Sequence, residues 1–191
     1  MAKADSAQID RLADMARDGD RQAFSQIVKM MMNQVTALTY RMTGDRDAGQ
    51  DLAQDTFVAA WQKLDSFRGE AAFTSWIYRI ASNKSLNYLK SAGRKRTESL
   101  DKEESGAALE PSHNETPETN LAREELREQF LEFAKTLPDQ QRVVFELRFY
   151  QQMSFDEISR VIDKAEGTVK THYRLAVEKL RKHAQERGWR S

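Results

Sequence analysis

The sequence predicts an all-α protein made of two small helical domains joined by a flexible linker, with a helix-turn-helix in the C-terminal domain. Apolar residues recur every three or four positions along most of the chain, which is the spacing of one helix face. The 191 residues include only 3 prolines and 8 glycines, and most of these lie between the periodic segments. Alternating β-branched runs, which are typical of strands, are few. We therefore expect helices on both sides of one aperiodic segment.

The composition excludes several classes of protein. Because the chain has no cysteine, a disulfide scaffold, a thiolate zinc site and a cysteine nucleophile are excluded. No apolar run approaches the roughly 18 residues of a membrane span, and the N-terminus lacks the apolar segment of a signal peptide. These features predict a cytoplasmic protein without membrane insertion. The 30 basic and 30 acidic residues balance, so a charged binding site must arise from local clustering.

Two helices are expected before residue 44. A short amphipathic helix around residues 9–16 is broken by Gly19, and Asp20 suits the N-cap of the next helix. The second helix is long and has a continuous apolar face, which contains Phe24, Ile27, Val28, Met31, Val35, Leu38 and Met42. We expect this helix to end at Gly44 and to serve as scaffold.

A third helix, expected over residues 48–64, has two different faces. The stripe expected to be buried contains Ala53, Phe57, Trp61 and Leu64. The opposite face carries Asp51, Asp55 and Gln62, with Gln54 beside them. Such carboxylates are often only solvated surface charge, and in a first turn they also suit the helix dipole. Alternatively, they form a docking face for a basic partner, where charge sets register and encounter rate.

The next helix carries a stripe of basic, aromatic and amide side chains. Between Glu70 and Glu98 the chain has 6 basic residues and no acidic one. One helical stripe contains Trp76, Arg79, Asn83, Asn87 and Lys90, and the adjacent stripe, which should face a core, contains Phe73, Ile77, Ile80 and Ala81. Cations meet phosphates, aromatics stack on bases and amides bind base edges, so this face suits unpaired nucleic acid. The alternative is a solvated helix whose basic end suits the dipole.

A change in composition separates the two predicted domains. Residues 94–120 have no apolar period, contain Pro111 and Pro117, and turn from basic to acidic. These features are typical of a flexible linker. The sequence therefore predicts a first domain over residues 1–93 and a second over residues 121–187.

The second domain is predicted to end in a helix-turn-helix. Ser154 and Glu157 form a capping box that opens one helix, well after Pro138 has stopped an earlier one. A break at residues 163–166 separates it from a last helix, whose outer side near its start carries Lys170, Thr171 and Arg174. Two short helices, a tight turn and polar or basic residues at the start of the second describe this motif. These side chains suit guanine, phosphate and the thymine methyl group.

Two features of this segment leave alternatives open. The same pattern also fits an αα-hairpin that only packs against its neighbours. In addition, Ala165 stands where a serine or threonine would cap the last helix, unless that helix starts earlier and Asp163 caps it.

Taken in order, these pieces resemble the extracytoplasmic-function sigma factors of bacterial RNA polymerase. The resemblance covers the chain from Asp20 to about Lys182, except for the linker. Each motif is weak alone, but their order and spacing are specific. The motifs are DLAQDTFVAAW at 51–61, SFRGEAAFTSWIYRIASN at 66–83, LPDQQRVVFELRF at 137–149, and MSFDEI with EGTVKT within 153–171.

The resemblance implies a role for each of three sets of residues. The surface that grips core RNA polymerase would contain Asp51, Leu52, Gln54, Asp55, Val58 and Trp61. The surface that binds the minus-ten element, including a pocket for a flipped base, would contain Phe67, Arg68, Gly69, Trp76, Tyr78, Arg79, Asn83 and Asn87. The surface that binds the minus-thirty-five element would contain Arg148, Thr168, Lys170, Thr171, His172 and Arg174.

The chain departs from the family pattern on the last helix. Family members often carry arginine at the positions of His172, Leu175 and Val177. Lower positive charge there predicts fewer phosphate contacts and a weaker dependence of DNA binding on salt.

By this resemblance the protein is an alternative sigma factor that directs promoter-specific transcription initiation, without catalytic residue, metal or cofactor. The implied partners are core RNA polymerase, promoter DNA in duplex and single-stranded form, and an anti-sigma factor that holds the protein inactive. The rival is a stand-alone helix-turn-helix regulator, which would bind a two-fold operator without polymerase. An enzyme fits least, because no phosphate loop is present and no metal-ligand spacing is shown by His113, His172 and His183.

Overall fold

The computed structural model describes residues 3–98 and 129–188, and every regular element within these ranges is helical, as predicted. The N-terminal half contains α1 (Lys3–Arg17), α2 (Arg21–Thr43), α3 (Arg46–Gln62), a 3-10 turn (Leu64–Ser66) and α4 (Phe73–Glu98). The C-terminal half contains α5 (129–136), α6 (Asp139–Phe145), a π-helical turn (Glu146–Tyr150), α7 (Phe155–Ile162) and α8 (Glu166–Glu186). Within these ranges, no helix is long and apolar enough to cross a membrane.

The helix ends of the N-terminal half are fixed by the residues that the sequence singles out. The carboxylate of Asp20 accepts hydrogen bonds from the backbone N–H of Gln22 at 2.8 Å and of Ala23 at 3.1 Å, so it caps α2. Gly44, with φ of 74°, ends the same helix in the left-handed region. These contacts confirm the predicted bounds of the scaffold helix.

The helix α3 lies unusually close to α2. The hydroxyl of Thr39 donates a hydrogen bond of 2.6 Å to the backbone oxygen of Gly49. A Cβ added at Gly49 would lie only 2.8 Å from the Cα of Tyr40, so a larger residue would push the helices apart. This close approach sets which face of α3 points outward.

The predicted helix-turn-helix is present, and its two helices differ in how their N-termini are capped. Ser154 and Glu157 exchange the two hydrogen bonds of a capping box at the start of α7. Ala165 precedes α8 without any side-chain cap. The alternative that Asp163 caps α8 is wrong, because Asp163 has φ of 53° and ends α7 in the left-handed region instead.

Two further sequence predictions need correction. The helix α4 does not end near Gly93 but continues to Glu98, because one glycine costs a helix only about 1 kcal/mol and good helix formers follow it. The rest of the predicted linker lies outside the described residues. Trp61 is not buried on α3 but is 40% exposed, because its ring lies over Phe24 at an edge of the domain, with a centroid distance of 5.0 Å.

The two halves pack directly against each other. The helix α4 contacts α7, and α2 contacts both α6 and the π-helical turn. One apolar core continues across this boundary and includes Ile77 and Ala81 from α4 together with Val161 and Ile162 from α7. A smaller core within the C-terminal half contains Phe133, Leu137, Phe145 and Ala176. The sequence predicts two modules that hold separate pieces of DNA, whereas here the modules are docked.

Candidate nucleic-acid interface and docking face

A pocket of about 580 Å³ lies beside the start of α4. From the N-terminal half it is lined by Ser66, Phe67, Arg68, Glu70, Ala71, Ser75, Trp76 and Arg79. Four of the predicted minus-ten residues therefore meet in one cavity. Gly69, Tyr78, Asn83 and Asn87 do not line it. Arg68 and Arg79 are exposed, so two cations stand at its border.

Phe67 and Trp76, which line this pocket, belong to an aromatic cluster whose third member, Phe73, does not line it. The ring of Phe67 lies 4.9 Å from that of Phe73, edge to face, and 5.4 Å from that of Trp76. Phe67 and Phe73 are buried, whereas Trp76 is only half-buried. Such a cluster offers an indole face on which an unstacked base can stack.

The loop that precedes α4 is held at both ends by α1. A guanidinium nitrogen of Arg17 donates to the backbone oxygen of Phe67 at 3.3 Å. At the other end, the carboxylate of Asp10 accepts a hydrogen bond from the backbone N–H of Phe73 at 2.8 Å, which caps α4 from another helix. Between them, Gly69 has φ of 71°. Sequence reasoning missed Asp10 and Arg17, because no local pattern shows that α1 contacts residues so far along the chain.

The predicted minus-ten residues of α4 do not all lie on the same side of the helix. Arg79, Asn83 and Asn87 are exposed on one face, which continues away from the pocket. Tyr78 is only 4% exposed, and its hydroxyl donates to the side-chain oxygen of Gln151 at 2.7 Å. Burial raises the pKa of Tyr78 to about 12, so the phenol stays protonated and remains a donor.

The pocket has a second wall that comes from the C-terminal half. Arg160 and Val161 of α7 line it, together with Asp163 in the turn that follows. The surface predicted for the opened minus-ten strand is therefore partly covered by the helix-turn-helix.

The outer face of α3 combines acids with exposed apolar side chains. Asp51, Gln54 and Asp55 are exposed, Leu52 is half-buried, and Val58 is 56% exposed. The Trp61 ring forms one side of a groove between α2 and α3, with Arg21, Phe24, Ser25 and Val28. Large exposed apolar side chains beside each other are more informative than exposed charges, because they mark interaction sites.

The outer side of α8 is exposed, as predicted for a recognition helix. Thr168, Lys170, Thr171 and Arg174 are exposed, and His172 is half-buried. Lys170 pairs with Glu166 at 2.6 Å, and Arg174 pairs with Glu178 at 2.8 Å. Exposed ion pairs of this kind contribute little, so both cations are available to phosphate at small cost.

Arg148 has a different position from the other predicted minus-thirty-five residues. It is half-buried, donates to the backbone oxygen of Met153 at 2.9 Å, and places its guanidinium 5.1 Å from the Phe155 ring centroid. These contacts orient the start of α7.

Two family models match the chain and show the class of protein to which it belongs. Residues 27–95 match the family model of Sigma-70 region 2, and residues 127–180 match that of Sigma-70 region 4. These two regions correspond to the two helical halves. The first ends in the helix that carries the basic stripe, and the second contains the helix-turn-helix.

Individual relatives then define the family. The chain is 34% identical over 175 residues to the ECF RNA polymerase sigma-E factor of Salmonella typhimurium, covering 88% of this chain and 90% of that protein. Its fold is similar to the sigma factor RpoE in complex with the anti-sigma factor NepR from Bartonella quintana, at 22% identity, TM-score 0.69, and 85% and 96% coverage. It is also similar to CnrH in complex with the cytosolic domain of CnrY, at 26% identity, TM-score 0.66, and 93% and 98% coverage. The chain belongs to the extracytoplasmic-function family of RNA polymerase sigma factors, and it is an alternative sigma factor.

Proposed function

We propose that this sigma factor joins core RNA polymerase through the outer face of α3, captures opened minus-ten bases in the pocket beside α4, and binds the minus-thirty-five duplex with α8. The N-terminal domain comprises residues 1–93 with the helical extension to Glu98, and the C-terminal domain comprises residues 121–187. The observation that carries the proposal is the pocket, where an aromatic cluster and two arginines meet next to an exposed amide stripe.

Base capture alone is too weak to open a promoter. Unstacking costs a few kcal/mol per base, and stacking on an aromatic side chain returns roughly 1–3 kcal/mol per base. The balance is near zero, so stable melting needs polymerase and the upstream contact as well. The protein therefore supplies recognition, and core polymerase supplies the chemistry; no enzymatic activity is assigned to this chain.

The outer face of α3 has the make-up of a protein interface. Val58 and Trp61 provide apolar anchors, and Asp51 and Asp55 provide an acidic rim. Aromatic anchors inside a polar rim are typical of interface hot spots. The acidic rim would steer a basic partner surface into register.

We also infer that an anti-sigma factor controls the protein. RpoE of Bartonella quintana, which has a similar fold, was solved in complex with the anti-sigma factor NepR, and CnrH was solved in complex with the cytosolic domain of CnrY. A partner that covers the docking face or the pocket would prevent initiation. The protein would act in the cytoplasm, where its polymerase and promoters are.

Run-off transcription with purified core polymerase on a promoter library tests this function. Transcripts should start downstream of a shared pair of sequence elements, and core polymerase alone should give none of them. Absence of any dependent transcript would contradict the proposal. If the protein instead shifted a two-fold duplex operator without core polymerase, the rival of a stand-alone regulator would be correct.

A further inference from the structure

An ion pair joins the docking face of α3 to the helix α4. Nζ of Lys84 lies 3.3 Å from Oδ2 of Asp55, which is one of the acids proposed to meet core polymerase. The two residues are 29 positions apart, so the pair depends on the packing of α3 against α4. The Lys84 side chain is 30% exposed and the Asp55 side chain is 65% exposed. The lysine therefore reaches along the surface of the domain to a carboxylate that still faces solvent.

Lys84 has a different orientation from the other polar residues of α4. The basic residues of this helix predict a nucleic-acid surface, and Lys84 is one of them. In the structure, however, Arg79, Asn83 and Asn87 are exposed on one face, whereas Lys84 is half-buried and turns its ammonium group towards α3. This cation therefore belongs to the docking face rather than to the amide stripe.

The two acids of the docking face differ in their surroundings. Asp51 and Asp55 lie one helical turn apart on α3, and both are exposed. Asp55 has a cation at ion-pair distance, whereas Asp51 has no such partner among the residues that the structure describes. One of the two carboxylates is thus neutralised within the molecule before any partner arrives.

A basic group of a partner has to compete with Lys84 for this carboxylate. The incoming cation either displaces the lysine ammonium or comes close to it, and like charges at such distances repel each other. An exposed ion pair is weak, so a partner can displace the lysine. Lys84 should therefore reduce the affinity of the docking face without blocking it.

We propose that Lys84 is an intramolecular competitor for Asp55, and that it keeps the affinity for core RNA polymerase below what the docking face alone would reach. The inference rests on the proposed function of α3 as the surface that meets a basic region of polymerase. Lys84 acts through Asp55 and is not itself an anchor. It also slows association, because a partly neutralised rim steers a basic surface less strongly. The limited affinity keeps the sigma factor able to leave the polymerase.

Titration of labelled core polymerase with the full chain tests the competition. Lys84→Met removes the charge and keeps a long side chain, so binding should become roughly two- to fivefold tighter at about 0.1 M salt. The gain should vanish near about 1 M salt, because charges are then screened over short distances. The control Lys29→Met removes an exposed cation from α2 of the same domain and should leave the affinity unchanged. Unchanged or weaker binding of the Lys84 variant overturns the proposal, as does an equal gain for both variants.

A double-mutant cycle shows whether the effect passes through Asp55. Asp55→Asn should lose more affinity in the Lys84→Met background than in the parent, because only there is the carboxylate free of its internal partner. Asp51→Asn, one turn away, should lose the same affinity in both backgrounds. Equal losses for Asp55→Asn in the two backgrounds would overturn the proposal. If thermal unfolding shows that Lys84→Met is not folded, Lys84→Gln replaces it in both measurements.

The two proposals fail in different ways. If neither Asp51→Asn nor Asp55→Asn weakens binding to core polymerase, the acidic rim does not dock, and the proposed function of α3 is wrong whatever Lys84 does. If both acids contribute but Lys84→Met gains no affinity, the competitor role is wrong and the proposed function stands.

Discussion

The docking face and the minus-ten pocket lie in the same domain but are built differently. The docking face comes from successive turns of α3, which packs on α2 through Gly49. The pocket needs the loop at residues 67–72, α4, two anchors from α1, and a wall from α7. A surface on one helix is ready as soon as the domain folds. A surface assembled from four elements depends on how those elements pack together, so it should be more sensitive to substitutions that lie outside it.

The largest effect is expected at the docking face. Trp61→Ala should weaken binding to core polymerase by about 2–4 kcal/mol, because an exposed aromatic anchor is a typical hot spot. Capture of the single-stranded minus-ten probe, an oligonucleotide with the non-template minus-ten strand, by an already formed complex with core polymerase should not change. Titration of labelled core polymerase measures the first quantity. Gln50→Ala, an exposed change on the same helix, is the control, and equal losses for both variants would contradict a Trp61 anchor.

A smaller effect, confined to the other domain, is expected on the recognition helix. Lys170→Glu should cost about 1–3 kcal/mol in binding to the minus-thirty-five duplex, because it reverses a charge at the start of α8. Capture of the single-stranded minus-ten probe should stay the same. Fluorescence anisotropy of each labelled DNA, titrated with the complex of the variant and core polymerase, measures the two affinities. Equal loss on both DNAs would mean that the two surfaces are not independent.

The anchors of the pocket can be tested through α1. Asp10→Ala should cost about 0.5–2 kcal/mol of stability, as loss of a helix cap does. It should also weaken binding of the minus-ten strand, because the loop after Phe67 is no longer fixed at Phe73 by the hydrogen bond to Asp10. Thermal unfolding and oligonucleotide binding measure the two effects. Asp10→Asn, which keeps an acceptor, should restore most of both; a variant that stays as weak as Asp10→Ala would rule out the capping role.

The amide stripe should affect base choice more than affinity. Asn83→Ala should cost about 0.5–1.5 kcal/mol for the preferred base, which is the value of one hydrogen bond. Core binding should be unaffected. Transcription from promoters randomised in the minus-ten element would show relaxed selectivity, whereas an unchanged profile would remove Asn83 from the recognition surface.

The carboxyl of Glu146, which is buried in the π-helical turn and hydrogen-bonded to Arg41 of α2, should make the stability of the protein depend on pH. Burial raises the pKa of Glu146 above its ordinary value of 4.5, although Arg41 and Arg142 oppose this. A carboxyl with a raised pKa in the folded chain binds its proton more tightly there, so its contribution to stability improves as the pH falls through that pKa. The stability of Glu146→Gln relative to the parent should therefore decrease as the pH is lowered towards 4.5. A constant difference in unfolding free energy would contradict the raised pKa.

Local chemistry was predictable from the sequence, and contacts between distant residues were not. Asp20, Gly44 and the Ser154 capping box act as expected, because a cap depends on residues three or four positions away. The exposed residues of α8 follow from helical period alone. Glu146 gave one unused signal: it stands four positions after Arg142, between Phe145 and Leu147 in an apolar run.

No local sequence pattern predicted how the two halves pack against each other. The partner of Glu146 lies 105 positions away, and Arg142 reaches a carbonyl 100 positions away. Whether the Trp61 ring is exposed likewise depends on which other elements pack over it, and the helical period does not show this. Such features follow from tertiary packing, which a helical period cannot encode.

The most direct test compares minus-ten capture by the same protein with and without core polymerase. We expect at least about tenfold tighter binding of the single-stranded probe once core polymerase is present, because its contacts add to the roughly 1–3 kcal/mol per base that stacking supplies. Equal affinity in the two states would contradict the claim that stable capture of the opened strand needs core polymerase.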